Sequence, residues 1–310
     1  MGRRRTWGGV WAPARRTAGV GWRPGGGRAW PGSAYAAGLA VVTATQFSPP
    51  AGTPATTHAH DTPDEPPSTA VTGLGPDGAV RWRREFESVT DAALGPDGVS
   101  VVTPDGLVGL GRDGRRRFRY PAARGTLVVA SDGRVFYGTE SADGTGDAGT
   151  IHGVGPDGER GFRRSAPVGE FRLVDGTLYA ADSGIAAVEP DGTVRWRARG
   201  FDQWLLPSPT GDRLYSRDGR GADRVTAYTT DGERQWTLAP PTRNAWPEGA
   251  TTEGVVASAV TAGETFLTTY LVRDGRPTAA RGIDTVFDAA AVGSRAFLAD
   301  GEGRLLAVDP

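Results

Sequence analysis

An Asp-Gly turn that returns at near-constant spacing constrains this chain more than any other feature. Asp77, Asp113, Asp157, Asp191, Asp231 and Asp274 each precede glycine, and Asp309 precedes proline. Successive intervals are 36, 44, 34, 40, 43 and 35 residues. One phrase surrounds the turn: LGPDGAVRWR from Leu74, LGRDGRRRFR from Leu110, VGPDGERGFR from Val154, VEPDGTVRWR from Val188 and YTTDGERQWT from Tyr228. A period of this length means one supersecondary unit per repeat, so the array has to be read before any domain count from length.

Residues 170–197 show the unit. EFRLVDG, TLYAADSG, IAAVEPDG and TVRWRAR are four short segments in which apolar and β-branched residues alternate between turn signals. Such segments predict four antiparallel strands, here A to D, joined by hairpins. In the turns, glycine takes positive φ freely and aspartate tolerates it. Four-stranded units of about 40 residues predict an all-β β-propeller. Six intervals predict six blades, with Ala79–Phe86 at the N-terminal side supplying strand D of the last blade and closing the ring. The repeat over residues 252–281 carries Thr278-Ala279-Ala280 where others have an aromatic, which leaves seven blades as the alternative. In Val80-Arg81-Trp82-Arg83, period-2 alternation puts Val80 and Trp82 on one face and the arginines on the other. Trp82 is then a plug against the neighbouring blade, and the arginines guard a solvated edge.

The first seventy residues are different material. Residues 1–32 hold seven arginines, no acid, and Trp7, Trp11, Trp22 and Trp30 among glycines. The apolar run from Ala34 to Ala44 is shorter than the roughly 20 residues a membrane helix needs. It fits the apolar core of a secretory signal, with Val42-Thr43-Ala44 as the cleavage site. Gln46 to Thr69 is rich in Pro, Thr and Ala, as a linker is. The expected organisation is a basic leader over 1–45, a linker over 46–70 and one propeller over 71–310. Three readings fit the head: an exported leader, a translation start set too far upstream, and a basic, Trp-bearing arm for nucleic acid. The apolar run favours export; the upstream start would leave the protein cytoplasmic, and no other segment supports nucleic-acid binding. The net charge of −1 carries no message about nucleic acid or a membrane surface.

The repeat phrase resembles that of the PQQ-like β-propeller family. Ala187-Val188-Glu189-Pro190-Asp191-Gly192-Thr193-Val194-Arg195-Trp196 carries the match, and Leu306-Ala307-Val308-Asp309 matches its first half. The resemblance covers about residues 71–310 and rests on structural positions, so it speaks to fold more than to function. The family includes quinone-dependent alcohol dehydrogenases, outer-membrane assembly scaffolds and exported propellers of other kinds. The dehydrogenases' paired cysteines are impossible in a chain without cysteine. Their Asn-bearing calcium site has only Asn244 to draw on. The scaffolds' lipidated cysteine is absent too.

Chemistry-bearing clusters are sparse. His58 and His60 lie in the linker with Asp61, without a rigid third metal ligand. His152 falls on a strand C and reads as a satisfied blade residue rather than a general base. Asp143 and Asp147 in one Gly-rich loop, and Asp218–Asp223 in another, are the only places for Ca²⁺, and neither has the alternating pattern of a calcium loop. No cofactor is therefore expected, PQQ included, and the residues lean away from an enzyme. Topology indicates where binding belongs. C–D turns are minimal hairpins, whereas B–C loops and D–A connectors share the opposite rim. That rim receives Asp143, Asp147, Arg220 and the longest connector, with Arg243, Asn244, Trp246 and Glu248. Exposed aromatics beside arginine suit an interface. The expectation is an exported, monomeric, non-catalytic scaffold that binds a protein or glycan through these residues. The alternatives are a lactonase- or glycosidase-like hydrolase with a central-channel site and, further off, a PQQ-dependent oxidoreductase.

Overall fold

The structure is a computed structural model. It describes residues 33–36, 39–46, 68–121, 125–129, 133–139, 149–199, 202–218, 224–238, 245–260, 267–283, 286–292, 294–300 and 304–308. Every element among them is a strand.

The strands form seven antiparallel sheets, six of four strands and one of three. The first contains β1–β4 (Ser33–Ala36, Leu39–Gln46, Ser68–Leu74, Val80–Phe86) and the second β5–β8 (Asp91–Gly95, Gly98–Thr103, Gly106–Gly111, Arg116–Tyr120). The third contains β9–β12 (Gly125–Val129, Val135–Thr139, Gly149–Val154, Arg160–Ala166) and the fourth β13–β16 (Glu170–Val174, Thr177–Ala181, Gly184–Val188, Val194–Arg199). The fifth contains β17–β20 (Asp202–Pro207, Arg213–Asp218, Arg224–Thr229, Arg234–Leu238) and the sixth β21–β24 (Ala245–Ala250, Val255–Val260, Leu267–Arg273, Arg276–Ile283). The seventh contains β25–β27 (Val286–Val292, Arg295–Asp300, Leu305–Val308). Each is a meander in chain order, and the first strands of successive sheets are neighbours from β1 through to β25.

Two expectations change. Among the described residues there are seven sheets, the number given above as the alternative to six, because β1 and β2 build one from the stretch read as leader: Gln46↔Ser68 through Ala40↔Leu74 are paired. Val80–Phe86 does not complete the last sheet; it pairs with β3, from Thr69↔Phe86 to Leu74↔Val80. Five residues, 75–79, join those strands, so their pairing closes a far shorter loop than a partner some 220 residues away would.

The Asp-Gly turns also have a more specific geometry than two positive-φ residues. Gly78, Gly114, Gly158, Gly192 and Gly232 have φ between 74° and 89°, while their aspartates do not appear among the positive-φ residues. Each glycine N–H donates to the carbonyl three residues earlier, as in Gly192 to Glu189 at 2.8 Å. This is a type I turn closed by a left-handed glycine, with a bulge in the next strand. The aspartate caps it: Asp191 Oδ1 accepts the Thr193 N–H at 2.7 Å, and Asp113 Oδ1 the Arg115 N–H at 3.0 Å. That bond from the Thr193 backbone holds the Asp191 carboxyl below its usual range. Only Asp175 and Asp274 take positive φ themselves, in two-residue hairpins.

The core lies between sheets. Phe136, Ile151 and Phe162 of the third pack on Phe171, Leu178 and Val188 of the fourth. Tyr179, Ile185 and Ala187 of the fourth meet Leu205, Leu214 and Tyr228 of the fifth. The strand-D aromatic sits at five successive joints, as its alternation predicts, and strand D of the sixth sheet carries none. A Cβ on Gly114, Gly158, Gly192 or Gly232 would come within 2.5–2.6 Å of Trp82, Phe118, Phe162 or Trp196 of the preceding sheet, and one on Gly275 within 3.0 Å of Trp236. Glycine is thus required twice, by φ and by the ring above it. Two of the three indole N–H groups are used as well: Trp82 Nε1 donates to Arg112 O and Trp196 Nε1 to Thr230 O, each at 2.8 Å, whereas Trp236 Nε1 is buried without a partner among the described residues. The strand-D arginines do more than guard an edge. Arg84 Nε donates to Gly114 O at 2.9 Å, Arg164 Nε to Gly192 O at 2.8 Å, and Arg195 pairs with Asp231.

Candidate functional site

The rim opposite the Asp-Gly turns carries the B–C and D–A connections. Of the residues expected there, Asp143, Asp147, Arg220, Arg243 and Asn244 lie outside the described residues. Trp246 and Glu248 are placed, but on an innermost strand rather than a connector: β21 pairs Trp246 with Ser258 and Pro247 with Ala257. The register shifts between Pro247 and Gly249, so the residue that cannot donate a backbone hydrogen bond sits at the irregularity. Glu248, at that shift, is half-buried.

Beside it, the starts of two neighbouring inner strands build a feature the sequence did not announce. Glu170 opens β13, directly after the D–A connector Pro167–Gly169, and pairs with Arg172 two residues on. Its other carboxylate oxygen accepts the Leu205 N–H from β17 at 2.6 Å. Arg172 is held further by donating through Nη1 to Phe171 O at 2.8 Å. Trp204 precedes Leu205 in a bulge, where the register jumps between Gln203 and Leu206. The bulge sends the two side chains different ways. Leu205 is buried between sheets, whereas Trp204 is 47% exposed with φ of 63°. A left-handed conformation in a bulky aromatic is an outlier. Such strain persists only where surroundings over-determine it, and the Glu170 clamp on the next amide is one such constraint. The result is an accessible side chain on the residue just before the amide that Glu170 holds, with Glu170 itself fixed by Arg172.

His152 is the other chemically distinctive residue, and its site is interior. It lies between the second and third sheets, 6% exposed. Its Nδ1 is 3.0 Å from the Tyr120 hydroxyl and its Nε2 3.4 Å from Thr139 Oγ1. Tyr120 and Tyr137 flank the ring at centroid distances of 5.8 and 5.9 Å. Burial, with Arg163 and Arg160 adding to it, pushes the imidazole pKa below its usual value, so the ring is neutral at pH 7. The same burial raises the Tyr137 phenol to about 12. Both ring nitrogens have partners and the ring is sealed, which makes it a structural hydrogen-bond bridge between sheets. No group of three or more His, Asp or Glu is placed to hold a metal ion among the described residues. Nor do those residues contain a helix long and apolar enough to cross a membrane.

No family model matches the chain, and no curated relative does. Its likeness is to solved structures. BamB from Moraxella catarrhalis superposes with a TM-score of 0.55 at 17% identity, covering 88% of this chain and 80% of that one. The dihydro-haem d1 dehydrogenase NirN, in complex with DHE, superposes with a TM-score of 0.53 at 13% identity, covering 77% of this chain and 59% of NirN. Both are β-propellers, and at these identities the likeness establishes the fold: this chain is a β-propeller.

Proposed function

We propose that the chain is a seven-bladed, PQQ-like propeller acting as a non-catalytic binding module for a protein or glycan partner through its B–C/D–A rim. The observation that carries this reading is Trp204. It is a large aromatic held exposed in a strained conformation, on the residue just before the amide that Glu170, itself fixed by Arg172, holds. An indole with a pre-ordered polar pair costs little entropy to engage, the combination that binding surfaces use. Trp246 and Glu248, one inner strand further on, and the connectors bearing Asp143, Asp147, Arg220, Arg243 and Asn244 extend the surface. A binding role also agrees with the chemistry at hand: Glu170 and Arg172 neutralise each other, and the one histidine among the described residues is spent between blades.

The test compares wild type with Trp204→Ala, Trp246→Ala and Arg243→Ala in binding to an oligosaccharide panel and in capture from envelope extracts. Binding lost in Trp204→Ala, at an unchanged unfolding midpoint, supports the proposal. Retention of every ligand by all three variants refutes it, and turnover of lactone or glycoside substrates refutes the non-catalytic reading.

Export remains the proposed address on the family resemblance alone, because the apolar run is taken up by strands of the first sheet. Residues 33–46 stay with the mature protein as the first two strands of blade one. An N-terminus upstream of Ser33 on protein from the envelope or secreted fraction supports retention; one at Thr45 refutes it.

A further inference from the structure

The D strands carry a bias of charge that neither the rim nor the packing between sheets accounts for. β4, β8, β12, β16 and β20 hold thirteen arginines and one acid, Glu85, in a chain of net charge −1. Guarding an outer strand against unwanted pairing takes charge of either sign. A single sign asks for another reason, because like charges side by side repel unless something compensates them. Over much of the circumference something does. Arg81, Arg83, Arg117, Arg119 and Arg195 each pair with a carboxylate.

The seam between the outer strands of the third and fourth sheets is different. Phe162 and Ala166 of β12 pack into the joint with the fourth sheet, so Arg164 between them shares that side. Trp196 and Ala198 of β16 pack toward the fifth sheet, which leaves Arg197 and Arg199 facing the third. Two of these arginines cross the seam in opposite directions. Arg164 Nε donates to Gly192 O at 2.8 Å and its Nη1 to Arg163 O at 3.0 Å, while Arg197 Nη2 donates to Ser165 O at 2.8 Å. All three are exposed, and none pairs with a carboxylate among the described residues. Asp191, which feels Arg164, is turned to the Thr193 N–H. β11, β12, β15 and β16 contain no acid. A guanidinium anchored on neutral carbonyls keeps its full charge and has already given up rotamer freedom. Two such groups from opposite walls, with Arg199 further along one of them, make a fixed receptor for carboxylate oxygens.

We propose that this seam binds an acidic segment of a partner protein in extended conformation. Arg197 and Arg199 stand two residues apart on one strand, about 6.8 Å along it, and carboxylates two residues apart on an extended peptide have the same spacing. Other polyanions need something the seam does not offer. Single-stranded nucleic acid stacks on open aromatics, as the apolar face of a sugar does. The aromatics here, Phe162 and Trp196, lie under the turns at Gly192 and Gly232. A lipid surface holds a protein through apolar side chains as well as charge. The exposed large hydrophobics among the described residues, Val80 and Trp204, belong to other sheets. The seam is a second surface, on outer strands, where the Trp204 site is built on inner ones.

Fluorescence anisotropy with the full chain tests this. The probe is a labelled peptide of alternating Glu and Thr, and a Gln-Thr peptide of the same length is its control. Wild type is expected to bind the Glu-Thr peptide alone, and more weakly as salt rises. Arg164→Gln and Arg197→Gln should each weaken binding about fivefold, and R164Q/R197Q roughly twenty-five-fold. Arg84→Gln removes the same kind of anchor, to Gly114 O, at another joint. It should match the single variants in unfolding midpoint and bind the peptide as wild type does. Equal weakening by Arg84→Gln, wild-type binding by R164Q/R197Q, or no binding of the Glu-Thr peptide overturns the proposal. So does tighter binding of a single-stranded oligonucleotide, heparin or anionic lipid vesicles that R164Q/R197Q abolishes, because the seam then serves another polyanion.

Discussion

On one rim of the propeller, five glycines lie under five aromatics of the preceding sheets, the same contact made each time. On the other, the connections differ in length and content, from the tight Thr103–Gly106 turn to the bulge that lifts Trp204 into solvent. The uniform rim is an internal interface that happens to lie near the surface. Its turns are repeated because each docks onto the next blade, and every residue of the dock has a packing reason. Variation there would separate blades. Among the described residues, the opposite rim repeats no such contact from sheet to sheet. Regularity in a repeat protein therefore maps where function is not.

The comparison breaks if the two rims tolerate change equally. Gly192→Val puts a branched side chain at φ of 87° and drives it into Phe162, 2.5 Å from where its Cβ must go. We expect a loss on the scale of a large core truncation, about 3–5 kcal/mol, and the same for Phe162→Ala. The double variant should cost less than the two together, because they share one contact. Pro104→Ala on the opposite rim should stay within about 0.5 kcal/mol of wild type. Urea unfolding of the four proteins decides it; a cost at Pro104 equal to that at Gly192 would remove the distinction.

Much of this was legible in the sequence. The Asp-Gly spacing and the alternation in Val194-Arg195-Trp196-Arg197 imply four-stranded repeats with a strand-D aromatic at the joint, and the structure has four strands in six sheets and the aromatic at five joints. Two things were hidden. The first sheet lay in a stretch whose apolar run, Ala34 to Ala44, has the length and composition of a signal core, and short apolar strands share those properties. Pairing with Ser68–Leu74, some thirty residues on, is what separates the two, and local composition does not encode it. The candidate site was hidden for a related reason. Trp204 reads as one more strand residue in Gln203–Ser208, because a bulge leaves no mark in an alternation of this length. Only the Glu170–Leu205 contact across sheets reveals that the strand has slipped.

A smaller effect sharpens the comparison by testing a polar joint against the aromatic ones. Tyr120, Tyr137 and Thr139 surround His152, with Arg163 and Arg160 the charged groups acting on it. Its folded-state pKa lies below the unfolded value near 6.5. The unfolded chain therefore binds the proton first as pH falls. The stability His152 contributes is present in full above about 6.5 and is lost as pH drops toward its lower, folded value. Unfolding free energy measured between pH 7.5 and 5 should fall in wild type, and His152→Gln should flatten that slope. His58→Gln, in the linker segment, should not; an unchanged slope in His152→Gln would show that the imidazole does not titrate between the blades.

Only a small change in stability is expected at Trp204, where the functional reading predicts the largest change in binding. A non-glycine residue in the left-handed region costs roughly 1–2 kcal/mol, which glycine at the same φ does not bear. Trp204 is about half exposed, so truncating it forfeits little buried area. Trp204→Gly should thus lie within about 1 kcal/mol of wild type, and above Trp204→Ala by a comparable amount, since alanine keeps the strain and loses the indole. Thermal unfolding of the three proteins gives the order. If both variants fall as far as Phe162→Ala, Trp204 is a packing residue whose exposure misleads. If glycine is tolerated while binding disappears, the indole is kept for contact at a conformational cost that the fold itself gains nothing by bearing.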